Sequence, residues 1–91
     1  MAGKPYTSFP ADITDLNDFN LPTGVYALSV ASKGNAPTGV GWCVLENIGS
    51  SGRRVQRIAS MSSGEIYMRA LQQSSGVVTA RPWKIVSTNA E

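Results

Sequence analysis

The side chains of this sequence that could do chemistry are its carboxylates, its arginines, its tryptophans and one cysteine. The sequence contains no histidine, and Cys43 is its single cysteine. One chain therefore lacks the base for Ser-His or Cys-His catalysis, and it can form neither an internal disulfide nor a Cys/His zinc site. Cys43 lies in a strand-like stretch, which favours a buried structural thiol. Trp42 beside it is expected, like most tryptophans of small β domains, in the core or at its margin.

The carboxylates form no recognisable acid–base pair. They belong to Asp12, Asp15, Asp18, Glu46, Glu65 and Glu91. A glycosidase needs two carboxyl groups across a cleft, and nothing in the sequence indicates such a pair. The three aspartates recur at the start of a short helical pattern, where acidic groups favour capping, and their spacing does not match a calcium-binding loop. We therefore predict no metal, no cofactor and no enzymatic activity.

Arginine and aromatic side chains are the candidates for contact with a ligand. Arg53 and Arg54 lead from a turn into a strand; most such arginines are solvated, but a guanidinium can also bind a planar anion. Trp83 could stack on a sugar ring or belong to the margin of the core. Tyr67 and Arg69 lie two residues apart, so they share one face of a strand. There they could cover apolar surface, or they could form a subunit or ligand contact.

Strands are the elements that would position these side chains. Alternation of apolar and polar residues predicts strands, separated by turns about every 8–12 residues, in the stretches 23–30, 42–48, 53–61 and 64–86. The last stretch holds two strands joined by the polar turn QQSSG, which makes five strands in all. Pro82 cannot donate to a ladder, so it predicts an edge or bulged final strand.

The stretch DITDLNDFNLP predicts one short helical turn before the first strand. Its apolar residues recur at helical spacing, Asp12 or Thr14 can cap it, and Pro22 ends it. The expected fold is all-β: a small antiparallel β-sandwich or curled sheet of about five strands with one short N-terminal helical turn. The expected organisation is a lead-in over 1–11, one β domain over 12–86 and a tail over 87–91.

Composition limits the classes of partner. Hydrophobic residues make up 42% of the chain, which supports a folded domain, and only 15% of the residues are charged. The resulting surface of small polar residues suits self-assembly or contact with sugars. A net charge of +2 is small for nucleic-acid binding. No stretch approaches the roughly 20 apolar residues of a spanning helix, and no signal core is visible, so we expect synthesis in the cytoplasm of the producing cell without membrane insertion.

The order of motifs is similar to that of the knob domains found in pyocin and bacteriophage tail fibres. TDLNDFNLPTGVYAL resembles the opening of that family, in which Asp-Leu-Asn leads into Gly-x-Tyr at the first strand. NAPTG, WCVLENI, VQRIAS with Gln56, EIYMRAL with its Tyr-x-Arg, and PWKIV continue the likeness in order. It covers about residues 12–86. Ala80 departs from the pattern, because the family often has the first of two tryptophans there.

The resemblance implies a non-enzymatic structural module of a virion. Such fibres are homotrimers whose distal parts meet the bacterial surface, commonly polysaccharide, so it implies other virion proteins as partners and a part in host attachment and receptor binding. It also implies that Arg69 ties the sheet to a loop carbonyl or carboxylate, with Trp83 packed nearby. No sugar-binding residue is carried over. The candidate ligand contacts therefore rest on chemistry alone; they are Tyr67, Arg69, Trp83, Arg53 and Arg54.

Three other functions stay open at this point. A capsid-surface head fibre or decoration protein uses similar small β modules and would bind capsids rather than cells. A polysaccharide-degrading enzyme would need an acid–base pair that the sequence does not display. A nucleic-acid binder would need salt-sensitive affinity, for which the net charge of +2 offers little support.

Overall fold

A computed structural model describes residues 6–86. These residues form one antiparallel sheet of six strands. The strands are β1 Gly24–Ser29, β2 Trp42–Gly49, β3 Arg53–Ser60, β4 Ile66–Ser74, β5 Val77–Ala80 and β6 Lys84–Val86. The predicted all-β antiparallel fold is confirmed. The predicted tail over 87–91 and the first part of the predicted lead-in lie outside the described residues.

The strands follow one another across the sheet in chain order from β1 to β5, and β6 pairs with β4 beside β5. Gln72 and Gln73, which the sequence suggested as part of a turn, instead extend β4. The turn itself is made by Ser75 and Gly76, whose φ values of 53° and 78° are those of a tight hairpin. Because consecutive strands from β1 to β5 are also neighbours in the sheet, each is joined to the next by a short turn or a local loop.

A β-bulge divides the last predicted strand into β5 and β6. Ala80 pairs with Leu71, whereas Lys84 pairs with Met68, so the three residues 81–83 oppose two residues of β4. The backbone N–H of Arg81 still donates to the carbonyl oxygen of Ala70 at 2.9 Å. The predicted edge or bulged strand at Pro82 is thus confirmed, and the division raises the strand count from about five to six.

The segment before β1 forms successive turns, and its described residues include no helix. Asp15 Oδ1 accepts the backbone N–H of Asn17 at 2.8 Å, and Asp18 Oδ1 accepts that of Asn20 at 2.8 Å. These aspartate turns satisfy backbone donors locally and so compete with a helix. The apolar residues still point inward, because each turn brings the next one back to the sheet.

Loops cover one face of the sheet and enclose the core. The sheet contributes Tyr26, Leu28, Cys43, Leu45 and Ile58, and the loops contribute Ile13, Leu16, Leu21, Val30 and Val40. Phe9 adds an edge-to-face contact on Tyr26, with ring centroids 5.2 Å apart. In the described part of the chain this cover is made of loops and turns, and all strands belong to the same sheet. The core therefore lies between the sheet and its own connecting segments.

The opposite side of the sheet, here called the open face, has no covering segment among the described residues. Trp42 lies there with 63% of its surface exposed, which corrects the expectation that it belongs to the core. Trp42 and Cys43 are neighbours in an alternating strand, so only one of them can point inward, and the fully buried residue is Cys43. The expected burial of Cys43 is confirmed.

Substituting Gly49 by alanine should destabilise the fold strongly. Gly49 has φ of 133°, which side-chain-bearing residues rarely adopt, and a Cβ would meet the carbonyl oxygen of Arg53 well inside contact distance. We expect Gly49→Ala to lower the free energy of unfolding by about 2 kcal/mol or more, measured by urea titration. Gly41→Ala is the matched control, because a Cβ there meets nothing within 4 Å. Equal losses of unfolding free energy in Gly49→Ala and Gly41→Ala would contradict this explanation of why position 49 requires glycine.

Cys43 should be inert to thiol reagents in the folded protein. It has no exposed surface, and burial raises the pKa of its thiol from 9.0 to about 11. The reactive thiolate is then about a hundredfold scarcer at neutral pH. We expect modification by a colourimetric disulfide reagent to be at least about a hundredfold slower in buffer than in concentrated urea. Similar rates in the two conditions would show that β2 opens readily.

Candidate functional site

A ladder of buried polar side chains crosses the covered face of the sheet. Asn47, Gln56 and Arg69 stand opposite one another on β2, β3 and β4. They are only 1%, 1% and 6% exposed, respectively. These residues, here called the polar ladder, occupy a row where alternation alone would predict apolar side chains. A buried polar group needs a partner, so the ladder depends on its hydrogen bonds.

Gln56 is the centre of the polar ladder. Its amide nitrogen donates to the carbonyl oxygen of Leu16 at 2.8 Å and to Asn47 Oδ1 at 3.3 Å. Its amide oxygen accepts Nε–H of Arg69 at 2.9 Å. Asn47 in turn donates to the carbonyl oxygen of Leu21 at 3.2 Å. The ladder thereby fastens the segment before β1 to the middle of the sheet.

Arg69 carries a positive charge into this covered side. Its guanidinium carbon lies 4.6 Å from the ring centroid of Trp83, in a cation–π contact. Burial lowers the pKa of Arg69 to about 10, and the nearby carboxylate of Asp15 opposes that effect. The side chain remains a cation at neutral pH. The resemblance implied a direct tie from Arg69 to a loop; here Gln56 relays that tie to the carbonyl of Leu16, and Trp83 packs on the guanidinium.

Trp83 links the bulge to the loops. Its Nε1–H donates to the carbonyl oxygen of Asn35 at 2.9 Å. The amide nitrogen of Asn35 donates to Asp15 at 2.8 Å and 3.0 Å to the two carboxylate oxygens. Trp83 is half-buried against the core. Its indole therefore has a structural partner on its edge and Arg69 on its face, as a scaffold residue would.

Tyr67 and Arg54, two more candidates from the sequence, also bond within the protein. The hydroxyl of Tyr67 donates to Glu65 at 3.0 Å, and its ring packs against the core. The guanidinium of Arg54 donates to the carbonyl oxygens of Ser50 at 2.7 Å and Leu21 at 2.8 Å. These contacts give both side chains a place in the scaffold.

Arg53, the remaining candidate, lines a cavity of about 640 Å³ on the open face. The cavity continues into a second one of about 490 Å³, and the two share Val55, Ala70 and Arg81. We call this feature the cationic groove; its other lining side chains include Gln72, Thr79 and Lys84. The structure thus brings Arg53 together with residues that the sequence analysis did not single out. These residues can be placed together only from the register of β3, β4 and β5, which the alternation of apolar and polar residues does not determine.

Among residues 6–86, no carboxylate lines the cationic groove. On the same face Glu46 pairs with Arg57 across β2 and β3 at 3.4 Å. Among residues 6–86 the side-chain hydrogen bonds include none from Arg53 or Arg81, so two guanidiniums lie free beside an apolar floor. Within the same part of the chain no group of three or more acids, cysteines or histidines lies close enough together to hold a metal ion.

No family model matches the chain, and neither the curated proteins nor the solved structures contain a significant match. Within the described residues, no helix has the length and apolar character needed to cross a membrane.

Replacing Gln56 by leucine should damage the fold although the size and the burial are kept. The variant Gln56→Leu leaves Nε of Arg69 and the carbonyl of Leu16 without their partner. We expect a loss of about 2–4 kcal/mol in the free energy of unfolding. Arg57→Leu is the control on the next residue, which faces the open side; it should change stability by less than about 1 kcal/mol. Comparable losses in both variants would refute the central role of the polar ladder.

Proposed function

We propose that this chain is a non-enzymatic structural module of a bacteriophage or phage-like tail fibre, acting in the virion as a homotrimer with other virion proteins and in attachment to the host cell surface. The resemblance of residues 12–86 to tail-fibre knob domains motivates the proposal. The single observation that supports it in the structure is an apolar patch on the open face that no segment among residues 6–86 covers.

The apolar patch consists of Trp42, Val44, Ala59, Ile66 and Val86. Val44, Ala59, Ile66 and Val86 lie in one cross-strand row from β2 to β6, and Trp42 lies beside Val44 on the same face. Trp42 is 63% exposed and Val86 39% exposed. A sheet with apolar side chains on both faces is stable when each face packs against another layer. The patch therefore fits a face that neighbouring copies cover.

The apolar patch would also account for the two-layer sandwich that the sequence analysis offered as one form of the fold. The loops supply the cover on one side of the sheet. A second sheet on the other side would come from another copy of the chain, so the sandwich would be completed only in the assembly. Contiguous exposed apolar patches of this kind on a small soluble domain commonly mark protein–protein interfaces.

The covered side of the sheet suits a passive module. The polar ladder binds loop carbonyls and side chains of the protein itself, and Trp83 and Tyr67 likewise donate to other groups of the protein. These residues hold the shape of the domain and leave the open face as the surface that other molecules can reach. A rigid frame with one presented face is what an attachment fibre requires.

The oligomeric state tests this proposal directly. We expect multi-angle light scattering to give three times the chain mass, the same sample to adsorb to bacterial cells, and incubation with capsular or lipopolysaccharide to release no new reducing ends. Trp42→Ser should weaken the trimer by about 2 kcal/mol per copy or more, because the indole would be a central contact of the patch.

Ile85→Ser is the matched control for this test. Ile85 is exposed to a similar degree, 58%, but it is opposite Tyr67 on the other face of the sheet. It should leave the trimer intact. A monomer that adsorbs to no cell would refute the proposal, and a chain that binds isolated capsids would identify a capsid-surface decoration protein instead.

A further inference from the structure

We propose that the cationic groove binds the acidic group of a glycan, with Arg53 and Arg81 holding a carboxylate or phosphate. This inference rests on the proposed function, because it names the ligand class of an attachment module. The larger cavity of the groove lies on the open face at the β2–β3 hairpin end. The apolar patch lies toward the opposite end of the same face and meets the groove only at Val86, which lines the second cavity. Assembly through the patch would therefore leave Arg53 and Arg81 accessible.

The register of three strands builds the groove. Arg53 on β3 stands opposite Gln72 on β4, and Gln72 stands opposite Thr79 on β5. Arg81 follows Thr79 by two residues, and its backbone N–H binds the carbonyl of Ala70. Arg53 and Arg81 thus flank β4 from its two sides, two strand spacings apart across the sheet and two residues apart along it, which is about 12 Å at the backbone.

Ala70 explains why the space between the two arginines is empty. It lies opposite Val55, and its side chain is a single methyl group where larger neighbours would fill the surface. The result is a depression of about 640 Å³, within the usual range of small-ligand sites. The long side chains of Arg53 and Arg81 can reach over this floor toward one bound anion.

Charge distribution favours an anion in this place. Arg54, Arg57 and Arg69 all bond to groups of the protein. Within residues 6–86, Arg53 and Arg81 form no such bond, and no carboxylate lines the groove to neutralise them. A guanidinium presents two parallel donors that match a carboxylate or phosphate. Two free guanidiniums over one cavity therefore select for negative charge.

The remaining lining groups favour a glycan over an acidic peptide. Gln72, Thr79 and Ser50 offer amide and hydroxyl groups that both donate and accept, as sugar hydroxyls require. Val55 and Ala70 form a small apolar floor for the C–H face of a sugar ring. An extended peptide would add to a free strand edge, but the floor strands β3 and β4 are each paired on both sides.

The test is an NMR titration of the intact chain, following the methyl groups of Val55 and Ala70. The probes are trigalacturonate for the carboxylate source, mannose 6-phosphate for the phosphate source, and the methyl ester of trigalacturonate as the neutral counterpart. We expect saturable shifts with at least one acidic probe and none with the ester. Which acidic probe binds identifies the source of the negative charge.

Arg53→Gln and Arg81→Gln should each weaken the binding by about tenfold, as expected for loss of a charge-assisted hydrogen bond. Arg57→Gln is the matched control, since it removes the same charge from the same face outside the groove. Thermal melting would verify that all three variants stay folded. Three results would overturn the inference: no saturable shift with either acidic probe, equal loss in Arg57→Gln, or tighter binding of a polyglutamate peptide at the same methyls.

Failure of this inference can be separated from failure of the proposed function. If the wild type is a trimer that adsorbs to cells and the Arg53→Gln/Arg81→Gln double variant adsorbs equally well, the groove is not the ligand site but the fibre assignment stands. If the wild type is a monomer that adsorbs to nothing, the fibre assignment fails whatever the titration shows.

Discussion

The hydrogen bonds of Gln56 are the interaction on which the rest of this structure depends. This side chain lies in the middle of the central strand, holds the guanidinium of Arg69 on one side and the amide of Asn47 on the other, and reaches the carbonyl of Leu16 in the segment that covers the core. In a buried setting each of those groups costs free energy if it loses its partner. The position of the loops is consequently set by specific bonds as well as by apolar contact.

The hydrogen bonds of the polar ladder make the two faces of the sheet different. They fix the loops over the covered face, whereas no described segment covers the open face. The loops seated by the polar ladder supply the apolar residues Leu16 and Leu21, both with no exposed surface, and so give a domain of 91 residues an enclosed core without a second sheet. The other face carries apolar and cationic residues that no described segment covers. Assembly and ligand binding, as proposed, use different parts of that face and share only Val86, so the arginines of the groove take no part in the interface.

Much of the architecture follows from the period of two in strands, and the remainder depends on distant contacts. Alternation predicted the shared face of Tyr67 and Arg69, because that property is local, whereas the burial of Cys43 was expected from the usual behaviour of a lone cysteine in a strand. It could not place Trp42, since both faces of β2 carry apolar residues and only the position of the loops decides which is inside. The turns before β1 depend on Asp15 and Asp18, whose carboxylates accept nearby backbone N–H groups. The partners of Arg53 in the groove emerge only from the pairing of β3, β4 and β5.

The bulge at 81–83 has one residue more than the facing stretch of β4, and this extra residue changes which face of the sheet the later side chains point to. Arg81 continues the alternation of β5 and lies on the open face; the additional residue then reverses the alternation, so that Trp83 turns to the covered face and Lys84 to the open face. Loss of one residue here would invert every later position of the strand without altering its composition. Insertions and deletions at this point should therefore be far less tolerated than substitutions. A related chain with the same number of residues between β5 and β6 could keep the fold and still carry other side chains in the groove.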